Sequence, residues 1–431
     1  MNDGNGDELQ RRSEREAAAG LWPIRRALTV AGFGAVLGLA AVTVVALAIL
    51  GFPGLTHHKV ISIGDLLEVL KLVLGTVAGV GALAALVMNY RKQRLAEAAE
   101  VREHQRAGDE RVRVFNERFA TAAGQLGHTE PAVRLAGVYA MAGLADDWEH
   151  GRQTCIDVLC AYLRMPYEAD PGSTLPAERL EFSRNQEVRH AIIAIIGGHL
   201  RVDARTSWQG YNFNFTGVRF DGGSFDGARF PGGLVSFEDA EFVDDMISFS
   251  EVEFCGATVS FRDARFYDGA LVYFREAIFS GGEVDFRGAA FVSGDVDFDG
   301  VEFSGGSIDF AGALFSGADV HFKALFSGVA VSFRRAKVRG GTVHFEAVFS
   351  GGAIDFDGTE FSGGMVKFGG SQFSGSVVDF SQARFSGGKV DFRGAGSWST
   401  PPSGLNIPVP KLPEGLILPT AAAASTSRTP S

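Results

Sequence analysis

The chain has 431 residues, with 56 Gly and 36 Phe against 7 Tyr and 4 Trp, and a formal net charge of −11. That length holds two or three domains. The acidic balance argues against direct nucleic-acid binding, which needs basic patches, and three cysteines, Cys155, Cys160 and Cys255, make no disulfide framework.

Residues 1–26 read as a cytoplasmic N-terminal tail carrying Arg11, Arg12, Arg15, Arg25 and Arg26. Two transmembrane helices are expected within 27–90. The first, 27–52, is an uncharged apolar run long enough for a ~30 Å hydrocarbon core. The second, about 66–89, has charges only near its start, and Gly75 and Gly79 give it a small-residue face. Arg91, Lys92 and Arg94 follow it, whereas the connector from Pro53 to Gly64 has only Lys59. The positive-inside rule then places both termini in the cytoplasm and the chain as a multi-pass protein of the plasma (inner) membrane, with the lipid bilayer as its first partner. Ala46-Leu47-Ala48 has the spacing of a signal-peptide cleavage site, but the apolar run is too long for a typical signal and continues past it. His57 and His58 in the connector have no companion ligands and read as solvated residues.

Residues 91–111 mix Glu97, Glu100, Arg102, Glu103 and Arg106 with alanine, which reads as a solvated helical stalk or a short coiled one. Residues 112–201 then read as a small all-α cytoplasmic domain of four helices. Val112, Phe115, Phe119, Ala122 and Leu126 recur at three and four, and Gly127 is a stop. Thr129 is placed to cap the next helix, with Pro131 in its first turn. A third helix is expected over about His150–Arg164 and a fourth over about Gln186–Leu200, with Pro166, Pro171 and Pro176 marking the loop between them. Arg134, Tyr139 and Trp148 are candidates for a partner groove, against the plainer reading of core and helix surface.

VRLAGVYAMAGLADDW followed by RQTCIDVLCAYLR resembles the helical segment that precedes the repeats in bacterial, especially actinobacterial, membrane-anchored pentapeptide-repeat proteins. It is also loosely similar to a HEAT-type helix pair.

Residues 208–396 carry the repeat. Thirty-one of the 36 Phe lie between Phe213 and Phe392. From Phe215 the spacing is three fives, and from Phe230 it alternates seven and five. The pattern is two pentapeptides plus a two-residue insert, as in Val-Asp-Phe-Asp-Gly (296–300), Val-Glu-Phe-Ser-Gly (301–305) and Gly306-Ser307. One residue is missing between Phe322 and Phe326 and one between Phe345 and Phe349, one is added between Phe266 and Phe274, and Val338 stands at one Phe position. A fixed short period marks a β-solenoid, in which each repeat buries its apolar residue only against its neighbours. Strand alternation points Phe and the small residue two before it inward, and the charged residue between them outward. The repeat resembles the pentapeptide-repeat family, which implies a right-handed quadrilateral β-helix with one pentapeptide per side. Plain pentapeptides need twenty residues per coil. The 12-residue unit points instead to twenty-four, in about eight coils stacked over roughly 35–40 Å at ~4.8 Å spacing. Residues 397–431 are Pro- and Ser-rich and read as a largely disordered tail, whose apolar 405–418 segment is placed to cover the last coil.

No residue set points to a catalytic, cofactor-binding or metal site, and no small-molecule substrate is expected. Asp295, Asp297 and Asp299 imitate half a calcium loop, but its twelfth position is Gly306. Gly387-Gly388-Lys389 lacks the rest of a phosphate loop, and Asn214-Phe215-Thr216 fits a glycosylation pattern without meaning in a cytoplasmic solenoid. The expected function is therefore a non-enzymatic, membrane-anchored scaffold presenting the solenoid to an unidentified protein partner. The alternative is an acidic DNA mimic that binds a DNA-handling protein such as gyrase, as some members of the resembled family do. Arg334, Arg335, Lys337 and Arg339, gathered in one coil, weaken that alternative and instead suit anionic lipid.

Overall fold

The structure, a computed structural model, describes residues 33, 34, 37, 38, 40–45, 62–167, 176–375, 377–398, 402–404 and 415–418. The chain divides into two compact units, 1–112 and 113–431. In the first, the expected 27–52 span lies mostly outside the described residues; those described within it are helical. Helix α1, Ile63–Leu126, runs without a break through the expected second span, the stalk and the first helix of the all-α region. Its start is one stretch long and apolar enough to cross a membrane. No Pro interrupts α1, and beyond Tyr90 its polar surface is laced with i,i+4 contacts such as Arg94 Nε to Tyr90 Oη at 3.1 Å.

In the second unit, three further helices follow: α2 (Pro131–Asp147), α3 (Arg152–Arg164) and α4 (Pro176–Leu200). Two expectations change here. The residue before α2 is Glu130, not Thr129, and it offers no side-chain cap. Its carbonyl instead accepts the N–H groups of Val133 and Arg134 at 3.0 and 3.1 Å, and Pro131 has no N–H that needs capping. Pro176 opens α4 rather than closing the loop, because proline's fixed φ suits a first helical turn; the fourth helix therefore starts ten residues earlier than Gln186. The thiols of Cys155 and Cys160 are buried, and burial pushes them up to about 11 and about 12, so they serve as small core residues.

Residues 213–398 build a right-handed parallel β-solenoid of about eight turns, its short strands stacked in four columns. The first face runs from Phe213–Asn214 to Val377–Asp379 and the second from Arg219–Phe220 to Arg384–Phe385. The third runs from Gly223–Ser224 to Lys389–Asp391 and the fourth from Arg229–Phe230 to Gln372–Phe373. We number the coils by their second-face strand, from Phe220 in the first to Phe385 in the eighth.

Register gives the coil length. Phe220 pairs with Phe242, 22 residues on, and Phe242 with Phe266, 24 on. Phe291 lies 25 beyond Phe266, and Phe315 24 beyond Phe291. Val338 and Phe361 follow at 23 each, and Phe385 at 24. Twenty-four is thus the working length, and every departure matches an irregularity in the Phe spacing. The corners absorb all of them. Between the first and second faces, and between the third and fourth, the corner is a tight turn closed by a bond such as Ala313 N to Phe310 O, 3.0 Å. The two-residue inserts sit at the other two corners, so the faces stay aligned whatever the corner holds.

Inside, the Phe rings form four ladders with centroids 4.5–5.3 Å apart from coil to coil. First- and third-face rings also meet edge-on across the rod, as Phe310 and Phe322 do at 5.9 Å and 88°. Val338 interrupts the second-face ladder beside a void of about 10 Å³.

Glycine at the wide corners has a steric reason. Gly352 sits at φ 77°, and a Cβ there would overlap the Val329 carbonyl of the coil below. Gly312, at φ 71° in a tight corner, has open space around it. Gly312→Ala should therefore cost about 1 kcal/mol of left-handed strain, and Gly352→Ala on the order of 2–4 kcal/mol because the strand beneath must move. Thermal unfolding of the two variants checks the difference; equal losses would remove the steric argument.

Both rod ends are covered. The helices lie in the same compact unit as the coils. They share one continuous core with the coils, because Phe213, Phe215, Phe220 and Phe225 would otherwise face water at the open end. Buried Trp208 fastens the join: its Nε1 donates to Asp146 Oδ1 at 2.9 Å, and its ring stacks on His199 at 4.1 Å. At the far end, Ser397–Trp398 pairs with Gln372–Phe373, Ser403 bridges to Asp379, and Leu416–Ile417 pairs with Val390–Asp391. The stack thus continues into the expected tail, the rest of which lies outside the described residues.

Candidate functional site

A dense polar cluster lies where α4 meets the first coil. Asp221, 3% exposed, follows Phe220 at the corner between the second and third faces. Its carboxylate accepts Tyr167 Oη at 2.7 Å and Gln186 Nε2 at 3.2 Å, and lies 3.3 Å from His190 Nε2. Arg189, also buried, donates to the carbonyls of Leu163 and Arg219 at 2.8 and 2.7 Å and lies over the Tyr167 ring at 4.3 Å. Burial alone would raise the Asp221 carboxyl, but bonds from His190 and Tyr167 and the charges of His190 and Arg189 hold it below its usual range. The bond to Asp221 raises His190 against the opposing effect of its burial. Burial and the bond to Asp221 push the Tyr167 phenol up, so it stays protonated and donating.

Beside this cluster is a cavity of about 590 Å³, lined by residues including Arg134, Tyr162, Met165, Tyr167, Phe182 and Arg189. Arg134 Nη2 reaches Asn185 Oδ1 at 2.5 Å. Among the described residues, the buried Nε atoms of Arg134 and Arg189 have no hydrogen-bond partner. Glu178 and Glu181 line the same cavity, so its charge is mixed. Through Asp221 the cluster ties α4 and Tyr167, just past α3, to the first coil, and among the described residues no serine or cysteine is hydrogen-bonded to His190.

Of the candidate groove residues, only Arg134 lines this cavity. Tyr139 is 60% exposed, and Trp148 packs on Phe115 at 5.1 Å. The three do not form one groove. His57 and His58 lie outside the described residues. Asp297 accepts Arg275 Nε at 2.7 Å, Asp299 lies 3.6 Å from Lys323 Nζ, and Asp295 lies 3.8 Å from His321 Nε2. Among the described residues no group of three His, Cys, Asp or Glu is arranged to hold a metal ion. Lys389 lies exposed on the third face, and Asn214 Oδ1 accepts Thr216 N at 3.0 Å.

That last bond recurs along the whole rod and is the feature sequence reasoning missed. The residue before many inward Phe is Asp, Asn or Ser, and its side-chain oxygen accepts the N–H two residues on. Asp285, Asp297, Asp309, Asp355, Asp379 and Asp391 do this at 2.7–3.0 Å. These are Asx turns that start the tight corners, and Asp285 and Asp297 are buried. The residue that alternation points outward thus also closes a turn, and the frequent Asp, Asn or Ser before the first- and third-face Phe was the available signal.

An acid limit on stability follows. Burial would raise the Asp285 carboxyl, but Arg287 outweighs it, and bonds to Ser381 and Arg393 lower Asp379 and Asp391. Groups depressed in the fold contribute stability that is full above the unfolded carboxylate value of ~3.9 and is lost as pH falls through the folded values. Asp295, raised chiefly by burial, acts in the opposite sense. The rod should unfold at lower denaturant at pH ~3 than at pH ~6, and Asp285→Asn should flatten that dependence. A midpoint that stays level over this range would count against the turn-capping role.

Comparison with protein-family models and with curated proteins finds no match for this chain.

Proposed function

We propose that this chain is a non-enzymatic, membrane-anchored scaffold of the bacterial pentapeptide-repeat type, holding its solenoid at the cytoplasmic face of the plasma membrane for a protein partner. In this reading 27–52 and 66–89 cross the bilayer and both termini are cytoplasmic. One observation carries it: helix α1 contains both the apolar stretch and Phe115 and Phe119, which pack against the core shared with the coils.

The DNA-mimic reading loses support from the Asx turns. A mimic needs carboxylates free to imitate phosphates, whereas Asp285, Asp297, Asp309 and Asp355 cap turns and lie within 4 Å of arginines.

Cross-linking in intact membranes followed by pull-down of the full chain tests the scaffold. A reproducible protein partner, lost when surface positions on one face are changed, is expected. Recovery of the chain from the soluble fraction would overturn the anchoring, and inhibition of gyrase supercoiling by the full chain in micelles would favour the mimic.

A further inference from the structure

The solenoid's charge is unevenly placed along its length. Residues 211–309 hold 19 Asp+Glu and 6 Lys+Arg, whereas residues 310–395 hold 7 and 9. On the side made by the second face and its two corners, the division is sharper. The second coil presents Glu238, Asp239, Glu241, Asp244 and Asp245 there, and the sixth presents Arg334, Arg335, Lys337 and Arg339. Midway, the fourth and fifth coils offer Ala290, Val292, Ala311 and Leu314, with Val292 42% exposed, and one charged residue, Arg287, which is paired with Asp285 and Asp309; the third coil's Arg262, Asp263, Arg265 and Asp268 balance to zero.

Much of this charge is unspent within the chain. Glu241 and Asp244 pair with Arg219, and Arg334 with Asp355 and Asp357. Among the described residues, Arg335, Lys337 and Arg339 have no ion-pair partner, and neither do Asp239 and Asp245. Salt bridges neutralise most other charged positions on the rod, so leaving three cations together is a departure from its own pattern.

The two charged bands lie two coils either side of the fourth coil, about 19 Å apart at ~4.8 Å per coil. A surface with an acidic band, a neutral centre and a basic band in equal steps is complementary to itself when turned end for end. We infer that this side is a two-fold contact between two copies of the chain, laid antiparallel, with the axis near Val292. The sixth coil of one copy then meets the second coil of the other, twice over, as an isologous interface requires. The inference goes beyond the scaffold reading and rests only on the rod's surface. The patch spans about five coils, roughly 24 Å long, so it buries less than the ~800 Å² per partner of a standard interface. The contact is therefore weak and sensitive to salt, and concentrating copies in one membrane favours it.

The test uses the full chain in membranes. Val292→Cys should cross-link to its own copy under mild oxidation, because a residue near a two-fold axis meets itself. Leu325→Cys, equally accessible but on the fourth face, should not. Raising salt from about 50 mM to about 500 mM should lower the Val292→Cys product several-fold as screening shortens. Arg335→Glu with Lys337→Glu should abolish it, and adding Asp239→Lys with Asp245→Lys in the same chain should restore it. Restoration separates charge pairing from misfolding. No product at Val292→Cys, equal product at Leu325→Cys, or charge reversal that leaves cross-linking intact while abolishing binding to anionic vesicles would each overturn the inference. The last outcome would assign the basic band to a membrane surface.

Discussion

Phe310→Asp should open the rod at its fifth coil and expose it to protease there. Phe310 is 1% exposed and stacks on Phe286 at 4.7 Å and Phe333 at 4.9 Å. Truncation to Ala alone costs ~3–5 kcal/mol for a fully buried Phe, a large share of the ~5–15 kcal/mol that holds a typical domain together. An aspartate there would also bury a charge with no cation within the ladder. Coils contact only their neighbours, so the damage should stay local, leaving protected fragments on either side. Limited proteolysis with fragment mapping reads this directly. Cleavage rates equal to the unchanged chain, or cleavage spread evenly along the rod, would contradict an inward Phe ladder that stabilises coil by coil.

Asp221→Ala should release the helices from the first coil. The substitution strands three donors and leaves the buried Arg189 without its nearest counter-charge. Each buried donor left unsatisfied costs ~1–3 kcal/mol. Hydrogen exchange should rise in α3, α4 and the first coil while the sixth to eighth coils stay protected; uniform protection would disprove the tie. The same cluster is sensitive to alkali. His190 is raised by Asp221, so its contribution is full below the ordinary histidine value of ~6.5 and is lost as pH rises through the raised one. The His190 side chain is a third exposed, which limits this contribution to below ~1 kcal/mol.

Periodicity made the rod legible because it depends on one residue type at one spacing. The Phe positions gave the coil length, and the three irregular intervals foretold its 23- and 25-residue coils. Phe115 and Phe119 pack against the core and Ala122 and Leu126 lie in it, as their helical spacing implies. The junction was not legible, since Tyr167, Gln186, Arg189, His190 and Asp221 are scattered over 55 positions and meet only when α4 lies across the first coil. Trp208 stood in a polar loop with no period to mark it. The Asx turns were hidden for another reason: alternation says which way a side chain points, but not that a short one bends back to its own backbone.

The coils vary from 22 to 25 residues while every face keeps its register. Mechanically, the corners are expansion joints and the faces are rails. A few residues added at a wide corner, such as beside Gly317, would leave the hydrogen-bonded rails untouched. The rod can therefore gain a surface loop, and with it a new binding preference, without renegotiating its core.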